Sequence, residues 1–384
     1  MILWQVSHIK KMTNQGSGYS ENRLFITTFS TLKDYRRTDR GNLKFSLNEI
    51  IFLTLSAVIS GFTTYELIAE FGKYEINWLR EYFPYKRGTP SHDTLGEFFS
   101  KINPNKFAQC MISFMKGLKK LDPNLISLDG KTVRGFIDQD GYPLHIITAF
   151  CNENKMTLGE EVVQGKENEI VAIPRLLELL SLEGCLISID AMGCQTKIAE
   201  QIVQQKGDYL LQVKANQKAL LEELEESFLL LKPFDISKKE DIGHGRVEVR
   251  KCLIIIDLKD VSQKNNWKNL NTIIKIESEV YNKKTAETTT SERFYISSKK
   301  ESANYFNSNV RNHWAIESFH WSLDVVYNED FQAKRNKNGI LNFNTLSKCA
   351  ISLLVEEKSF KKSKPLKQQR AFAQREYREL ILNC

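Results

Sequence analysis

The spacing of apolar positions predicts helices in the first third of the chain. The segment SLNEIIFLTLSAVIS has helical spacing and opens with Ser46 and Glu49 in the arrangement of a capping box. TPSHDTLGEFFSKI and FAQCMISFMKGL show the same periodicity. The most apolar run, Ile50 to Phe62, is too short to cross a bilayer and contains hydroxyl side chains, so we predict a buried helix.

From Leu125 the pattern changes to strands. LISLDGKTVRGFI, LHIITAFC and MTLGEEVVQG are separated by tight-turn signals and predict three antiparallel strands. A helix around Pro174 to Leu180, with the proline in its first turn, leads to the strand CLISID, and helices and strands then alternate through KALLEELEESFLLL. Helical crossovers make these later strands parallel to the first. This order matches an α/β, ribonuclease H-like mixed sheet flanked by helices, in which the first and fourth strands are neighbours. Asp129 and Asp190 should therefore meet at the strand ends.

The remaining segments complete the predicted organisation. RVEVRKCLIIIDL, NTIIKIESEVY and ERFYISS predict a β-rich insertion before the last helices, and EEKSFKKSKPLKQQR predicts a basic surface segment, helical or frayed. The predicted divisions are an N-terminal extension at 1–33, with Met1 or Met12 as the start, a helical domain at 34–121, a catalytic domain at 122–355 with the insertion at about 240–300, and a basic tail at 356–384.

Composition narrows the class of protein. The chain has 384 residues, 41% apolar residues and a net charge of +7, which is compatible with a polyanionic partner. Its seven cysteines form no CxxC pair, so we expect thiols in a reducing compartment rather than disulfides or a zinc site. No P-loop, GxGxxG or GxSxG is present, which argues against the usual nucleotide-binding and hydrolase classes. We expect a soluble cytoplasmic protein without membrane association.

The segment VRNHWAIESFHWSLDVVYNEDF, residues 310–331, carries the third part of the candidate site. On one helix, His313, Glu317, His320 and Asp324 would share a narrow stripe, beside an apolar stripe of Val310, Trp314, Trp321 and Val325 that could pack on a sheet. A glutamate facing Asp129 and Asp190 would complete a three-carboxylate site. Oxygen ligands favour Mg²⁺ or Mn²⁺, and two such ions about 4 Å apart promote in-line displacement at phosphorus. Lys131 and Arg134 could then meet phosphates.

Each acid also has a simpler interpretation. Asp129 could end a strand at a turn, Asp190 could cap a helix, and Glu317 could lie on a solvated helix face. His313 and His320 would lie about 10.5 Å apart along one helix, too far to share a zinc ion easily. The tryptophans of the apolar stripe are interpreted as core rather than as a base-stacking platform.

A set of motifs resembles a known family. ISLDGKTVRG, KENEI, ISIDAMGCQTKIAEQI, DYLLQVKANQ, GHGRVEVR and HWAIESFHWSLDVVYNEDF occur in the order found in bacterial insertion-sequence transposases of the H-repeat-associated type. These are DDE transposases with a ribonuclease H-like core, and the resemblance runs from about Asp34 through the tail. It implies catalytic and metal-binding roles for Asp129, Asp190 and Glu317, two Mg²⁺ or Mn²⁺ ions, and DNA cleavage followed by strand transfer. It further implies double-stranded DNA, both transposon ends and target, as partner, and a homodimer or larger assembly on paired ends. The location would be the bacterial cytoplasm, at the nucleoid when DNA-bound.

Several other residues are candidates for DNA contact. They are Lys131, Arg134, Lys214, Asn216, Gln217, Arg246, Arg311, His313, Lys334 and Arg335. The basic stretches Arg36 to Arg40, Lys334 to Lys337 and Lys358 to Arg370 are either phosphate contacts or solvated charge clusters. Two alternative functions stay open: a catalytically silent DNA-binding remnant or regulator of the element, and a ribonuclease H-like nuclease without strand transfer.

Overall fold

The structure is a computed structural model that describes residues 23–36, 43–118, 123–165, 167–243, 245–331 and 336–382. The helices are α1 Arg23–Phe29, α2 Leu47–Ile59, α3 Tyr65–Tyr74, α4 Ile76–Leu79, α5 His92–Lys101, α6 Pro104–Leu118, α7 Glu169–Glu178, α8 Thr196–Gln204, α9 Lys218–Leu230, α10 Ala303–His313, α11 Ala315–Val325, α12 Lys337–Glu356, α13 Lys364–Ala373 and α14 Arg375–Leu382. The strands are β1 Leu125–Ile137, β2 Pro143–Cys151, β3 Met156–Val163, β4 Leu186–Ile189, β5 Asp208–Val213, β6 Asp235–Gly243, β7 Arg246–Ile255, β8 Thr272–Asn282 and β9 Glu287–Ser297.

One mixed sheet organises the second part of the chain. Its nine strands lie in the order β3-β2-β1-β4-β5-β9-β8-β7-β6. Strands β1 to β3 are antiparallel because tight turns join them, whereas β4 and β5 run parallel to β1 because helices α7 and α8 return the chain. The predicted mixed sheet and the predicted neighbourhood of the first and fourth strands are confirmed.

Strands β6 to β9 continue this same sheet beyond β5 through antiparallel pairing. The sequence pattern predicted three strands in this region and missed β6. Its segment DISKKEDIG has apolar side chains only at Ile236 and Ile242, and both are exposed, at 52% and 69%. A strand without a buried apolar face leaves little alternation to recognise.

The predicted helices α2, α5 and α6 are confirmed, including the capping box of Ser46 and Glu49 at the start of α2. The apolar run predicted as a buried helix lies in α2, where Ile50 and Ile59 are fully buried. No helix within the described ranges is long and apolar enough to traverse a lipid bilayer. Six cysteines lie in the described ranges; all six are buried, and none of these six is in a disulfide.

The end of the chain packs against these helices, which corrects the prediction of a surface segment. Helices α13 and α14 contribute to the same apolar core as α1 to α6, α11 and α12. Arg378 is completely buried, with a guanidinium nitrogen 2.6 Å from the Glu75 carboxylate and its guanidinium carbon 3.9 Å from the centre of the Trp78 ring. Lys367 is also buried and donates a hydrogen bond to the carbonyl of Leu354 at 2.7 Å. The predicted helical character is right, but some of the basic residues, among them Arg378 and Lys367, are buried in the core.

Two further helix predictions need correction. Helix α7 begins at Glu169, so Pro174 lies inside the helix rather than in its first turn. The segment from Val310 to Phe331 is not one helix, because the helix is interrupted at Trp314, between α10 and α11. The apolar stripe predicted there is wrong: Trp321 is 58% exposed, and the buried side of α11 is formed by Ile316, Phe319, His320, Ser322 and Leu323. The break lets α11 turn a different face toward the core than a continuous helix would.

Candidate active site

Asp129 and Asp190 come together because of strand register. Strands β1 and β4 pair in parallel, and their last partners are Leu128 and Ile189. The next residue on each strand is an aspartate, so the two carboxylates lie side by side where β4 ends. Burial raises the pKa of Asp190, and nearby carboxylates, including that of Asp129, raise it further. The main chain also contributes: the amide of Met192 donates to Asp190 Oδ1 at 3.1 Å.

Glu317 approaches the same place from the first turn of α11. Burial raises its pKa and the charge of Asp129 adds to this, while Arg293, His320 and Arg311 act in the opposite direction. Glu317 remains more than a third exposed, so a ligand can reach it from solvent. Asp129 is thus the shared neighbour of the other two acids.

Two histidines border Asp129. His320 is only 7% exposed, and its Nδ1 lies 3.2 Å from Asp129 Oδ2, which restrains the orientation of that carboxylate. Burial lowers the pKa of His313, with the charge of Asp129 opposing the shift, so His313 is neutral at pH 7. The Nδ1 atom of His313 and the Nε2 atom of His320 are buried and have no hydrogen-bond partner in the described part of the chain.

Lys131 occupies a buried ion-pair network, which differs from the phosphate contact predicted for it. The side chain is 8% exposed, and its ammonium lies 2.7 Å from Asp324 and contacts the carboxylate of Glu329. Glu329 also accepts a hydrogen bond from Asn344 on α12. Burial lowers the pKa of Lys131, but the two acids outweigh this and raise it above its ordinary value. A phosphate would have to compete with both carboxylates for Lys131, so the structure favours a role for Lys131 in stabilising the fold.

The amides predicted to contact DNA brace the loop that follows Asp190. Asn216 Nδ2 donates to the carbonyl of Ala191 at 2.7 Å, and Gln217 Nε2 donates to the carbonyl of Cys194 at 2.9 Å. Lys214, at the start of the same turn, is exposed. The β5–α9 connection therefore supports the edge of the site and exposes the side chain of Lys214 there.

The other candidates for DNA contact are dispersed. Arg134, Arg246 and Arg311 are exposed: Arg134 lies on β1, Arg246 at the turn between β6 and β7, and Arg311 on α10, above the ring of Trp314. Of the basic stretch Arg36 to Arg40, only Arg36 is described, and it pairs with Asp34 at 2.6 Å. Lys334 and Arg335 lie outside the described residues.

Sequence reasoning missed a fourth acid near the site. Glu169 begins α7, its Oε1 lies 2.8 Å from His145 Nε2, and its charge is the strongest neighbouring influence that raises the pKa of Asp190. In the sequence, Glu169 is the second of the two acids in the KENEI motif, which carries family resemblance but by itself indicates no chemical role.

The acids fit a divalent cation in donor type and in charge. Carboxylate oxygens are the donors that hard ions prefer, and a cation would relieve the repulsion that raises the pKa values of Asp190 and Glu317. In the described ranges, however, no three His, Cys, Asp or Glu side chains converge closely enough to form a ready-made metal site. The carboxylates are neighbours, and their side chains would have to move closer together to bind an ion.

Comparisons with known proteins show which family the chain is similar to. Residues 26–115 match the family model described as DDE_Tnp_1-associated, and residues 120–353 match that of the Transposase DDE domain. The "H repeat-associated putative transposase YhhI" of Escherichia coli (strain K12) is 36% identical over 378 residues, covering 94% of this chain and 98% of that protein. The "Putative transposase YncI" of Escherichia coli O157:H7 is 37% identical over 347 residues, 86% of this chain and 87% of that protein. The shorter "Inactive transposase YbfQ" of Escherichia coli (strain K12) is 35% identical over 81 residues, 21% of this chain and 94% of that protein.

Proposed function

Since the chain belongs to the Transposase DDE domain family, we propose that it cuts DNA at the ends of an insertion sequence and joins those ends to target DNA. The observation that carries the proposal is the proximity of three carboxylates from separate elements. Asp190 directly follows β4 and lies beside Asp129 of the neighbouring parallel strand β1, and Glu317 approaches Asp129 from α11. Acids that are costly to charge, as the raised pKa values of Asp190 and Glu317 indicate, are expected where a cation is part of the working state.

The roles of the residues follow from their positions. Asp129, Asp190 and Glu317 would hold Mg²⁺ or Mn²⁺, with two ions expected, in keeping with the divalent ions that DDE transposase domains generally use. When bound, such ions supply Lewis acidity and lower the pKa of a water or hydroxyl nucleophile. His320 holds the carboxylate of Asp129 in place, while Asn216 and Gln217 keep the loop after Asp190 from moving away.

DNA recognition is proposed to rely on exposed cations. Arg134, Lys214 and Arg311 are exposed, and each would contribute a phosphate contact to double-stranded transposon ends or target. Binding should therefore weaken steeply as salt rises. Joining two ends to one target requires at least two active sites, so we expect a homodimer or larger assembly on DNA. A protein that acts on bacterial chromosomal DNA works in the cytoplasm, and this is the location we propose.

Strand cleavage on a plasmid that carries the element's own flanking DNA tests the proposal. The wild type, Asp129→Asn and Glu317→Gln are compared with Mg²⁺ present. Asp257→Asn serves as control because its exposed carboxylate pairs with Lys259 on the same loop. We expect cutting at the element boundaries by the wild type and the control. The two active-site variants should bind the DNA but lose cleavage by about 100-fold or more.

Other outcomes would change the assignment. Binding of the flanks without cutting, with either Mg²⁺ or Mn²⁺, would identify a silent copy or a DNA-binding regulator. Cutting without joined products would identify a ribonuclease H-like nuclease that lacks strand transfer. Full cleavage by Glu317→Gln would refute the three-acid site.

A further inference from the structure

We propose that Glu169 is a fourth acidic residue of the active site and that its carboxylate strengthens binding of the divalent cation beside Asp129 and Asp190. This inference rests on the proposed function, because it concerns the same ion. It adds to the three acids a residue from α7, on a different element from each of them.

Hydrogen bonds that involve residues of the central strands β1 and β2 hold Glu169 in position. Its Oε1 lies 2.8 Å from Nε2 of His145 on β2, and Nδ1 of His145 lies 2.9 Å from Oγ1 of Thr132 on β1. The carboxylate is 21% exposed, so it is partly shielded yet open to solvent on one side. A relay of two hydrogen bonds therefore fixes this acid against the strand that carries Asp129.

Gly130 makes this close approach possible. A Cβ atom at this position would lie 2.2 Å from Glu169 Oε1 and 2.6 Å from His145 Nε2, which are overlaps. The carboxylate thus rests on the backbone of the residue that directly follows Asp129. The charge of Glu169 also raises the pKa of Asp190, and it does so more than the charge of Asp129 does. Glu169 therefore lies against the residue next to Asp129 and interacts electrostatically with Asp190.

The positive charges in this region do not neutralise Glu169. Among the described residues, no lysine or arginine lies within ion-pair distance of it; Lys131 is paired with Asp324 and Glu329, and Arg175 on the same helix pairs with other glutamates. A second observation concerns His320, which is 7% exposed, contacts Asp129 and has a buried Nε2 atom without a partner in the described ranges. The cluster is therefore incomplete in both charge and hydrogen bonding, and a divalent cation would compensate the charge.

Binding of Mn²⁺ alone to the full chain tests the inference. Free Mn²⁺ is measured by electron paramagnetic resonance for the wild type, Glu169→Gln, Glu169→Asp and Asp190→Asn. The matched control is Glu167→Gln, two residues earlier and paired with Arg175 at 2.9 Å. Glu169→Gln keeps a hydrogen-bonding group for His145 but removes the charge, and Glu169→Asp keeps the charge.

We expect Glu169→Gln to weaken Mn²⁺ binding by about 10- to 100-fold, the range found for residues that support metal ligands. Glu169→Asp should recover most of the affinity, and Glu167→Gln should stay within about twofold of the wild type. Wild-type affinity in Glu169→Gln with weakened binding in Asp190→Asn would overturn this inference and leave the proposed function standing. Absence of saturable Mn²⁺ binding by the wild type would overturn both. Urea unfolding without metal checks that each variant is folded, and Glu169→Asp separates loss of charge from loss of structure.

Discussion

Replacing Lys131 by methionine should destabilise the protein, because the lysine neutralises a buried acid. Lys131 is 8% exposed and Glu329 is 6% exposed, so both partners of this contact lie away from water. Asp324 is 38% exposed and contributes little by comparison. Methionine keeps the length of the side chain but leaves Glu329 with the Asn344 amide as its remaining hydrogen-bond donor. Removing one partner of a buried pair costs about 3–5 kcal/mol, and the amide places this case near 3 kcal/mol.

Equilibrium urea unfolding followed by circular dichroism measures this cost. A loss of about 3 kcal/mol corresponds to roughly a 100-fold change in the unfolding equilibrium. Glu329→Gln should be destabilising on its own, and the double variant Lys131→Met/Glu329→Gln should cost less than the sum of the single changes by more than about 1 kcal/mol. Lys206→Met is the control, since its pair with Glu183 is 71% and 70% exposed and should be worth less than about 1 kcal/mol.

A Lys131→Met variant within about 0.5 kcal/mol of the wild type would refute this reasoning. If the same variant lost DNA affinity and its binding became less dependent on salt, the lysine would be a phosphate contact, as the sequence first suggested.

Three other predictions concern packing and pH. Gly130→Ala places a methyl carbon 2.2 Å from Glu169 Oε1, so it should displace that carboxylate, weaken Mn²⁺ binding several-fold and cost about 1 kcal/mol of unfolding free energy. Arg378→Met removes the buried partner of Glu75 and should cost about 3 kcal/mol in urea unfolding. Burial alone would raise the pKa of Glu357, but hydrogen bonds to its carboxylate outweigh this and lower the pKa to about 2, from an ordinary value of 4.5. This acid therefore stabilises the fold above pH 4.5, and its contribution is lost as the pH falls toward 2. In Glu357→Gln, urea midpoints measured across that range should fall less steeply than those of the wild type.

The controls and opposing outcomes are specific to each change. Gly243→Ala adds a methyl group where no heavy atom lies within 4 Å, so it should leave Mn²⁺ binding unchanged. Equal Mn²⁺ affinity in Gly130→Ala and the wild type would show that Glu169 is not needed at its observed position. An Arg378→Met protein as stable as the wild type would mean that the end of the chain contributes little to the helical core. An acid dependence of Glu357→Gln identical to that of the wild type would rule out this carboxylate as a source of acid sensitivity.

Much of the fold was predictable because its signals are local. The capping box of α2 needs only Ser46 and Glu49, three residues apart, and it forms as predicted. The hairpins and helical crossovers between residues 125 and 213 are marked by turns and periodicity, so the neighbourhood of β1 and β4 followed from the element order. Strand β6 was not predicted because its apolar side chains face solvent. The helix interruption at Trp314 was not predicted because a helical pattern continues through it.

The sequence by itself determined the order of helices and strands, the family resemblance, and the adjacency of β1 and β4, the strands that bring Asp129 and Asp190 together. Those features depend on spacing within short segments and on general rules of connection. Only the tertiary structure decided which charges are neutralised. Lys131 contacts Glu329 across a separation of 198 residues, Arg378 contacts Glu75 across 303, and Glu169 reaches the backbone beside Asp129 through Gly130. Burial and ion pairing depend on partners that are distant along the chain, and no local pattern records which side chain the folded protein will place opposite another.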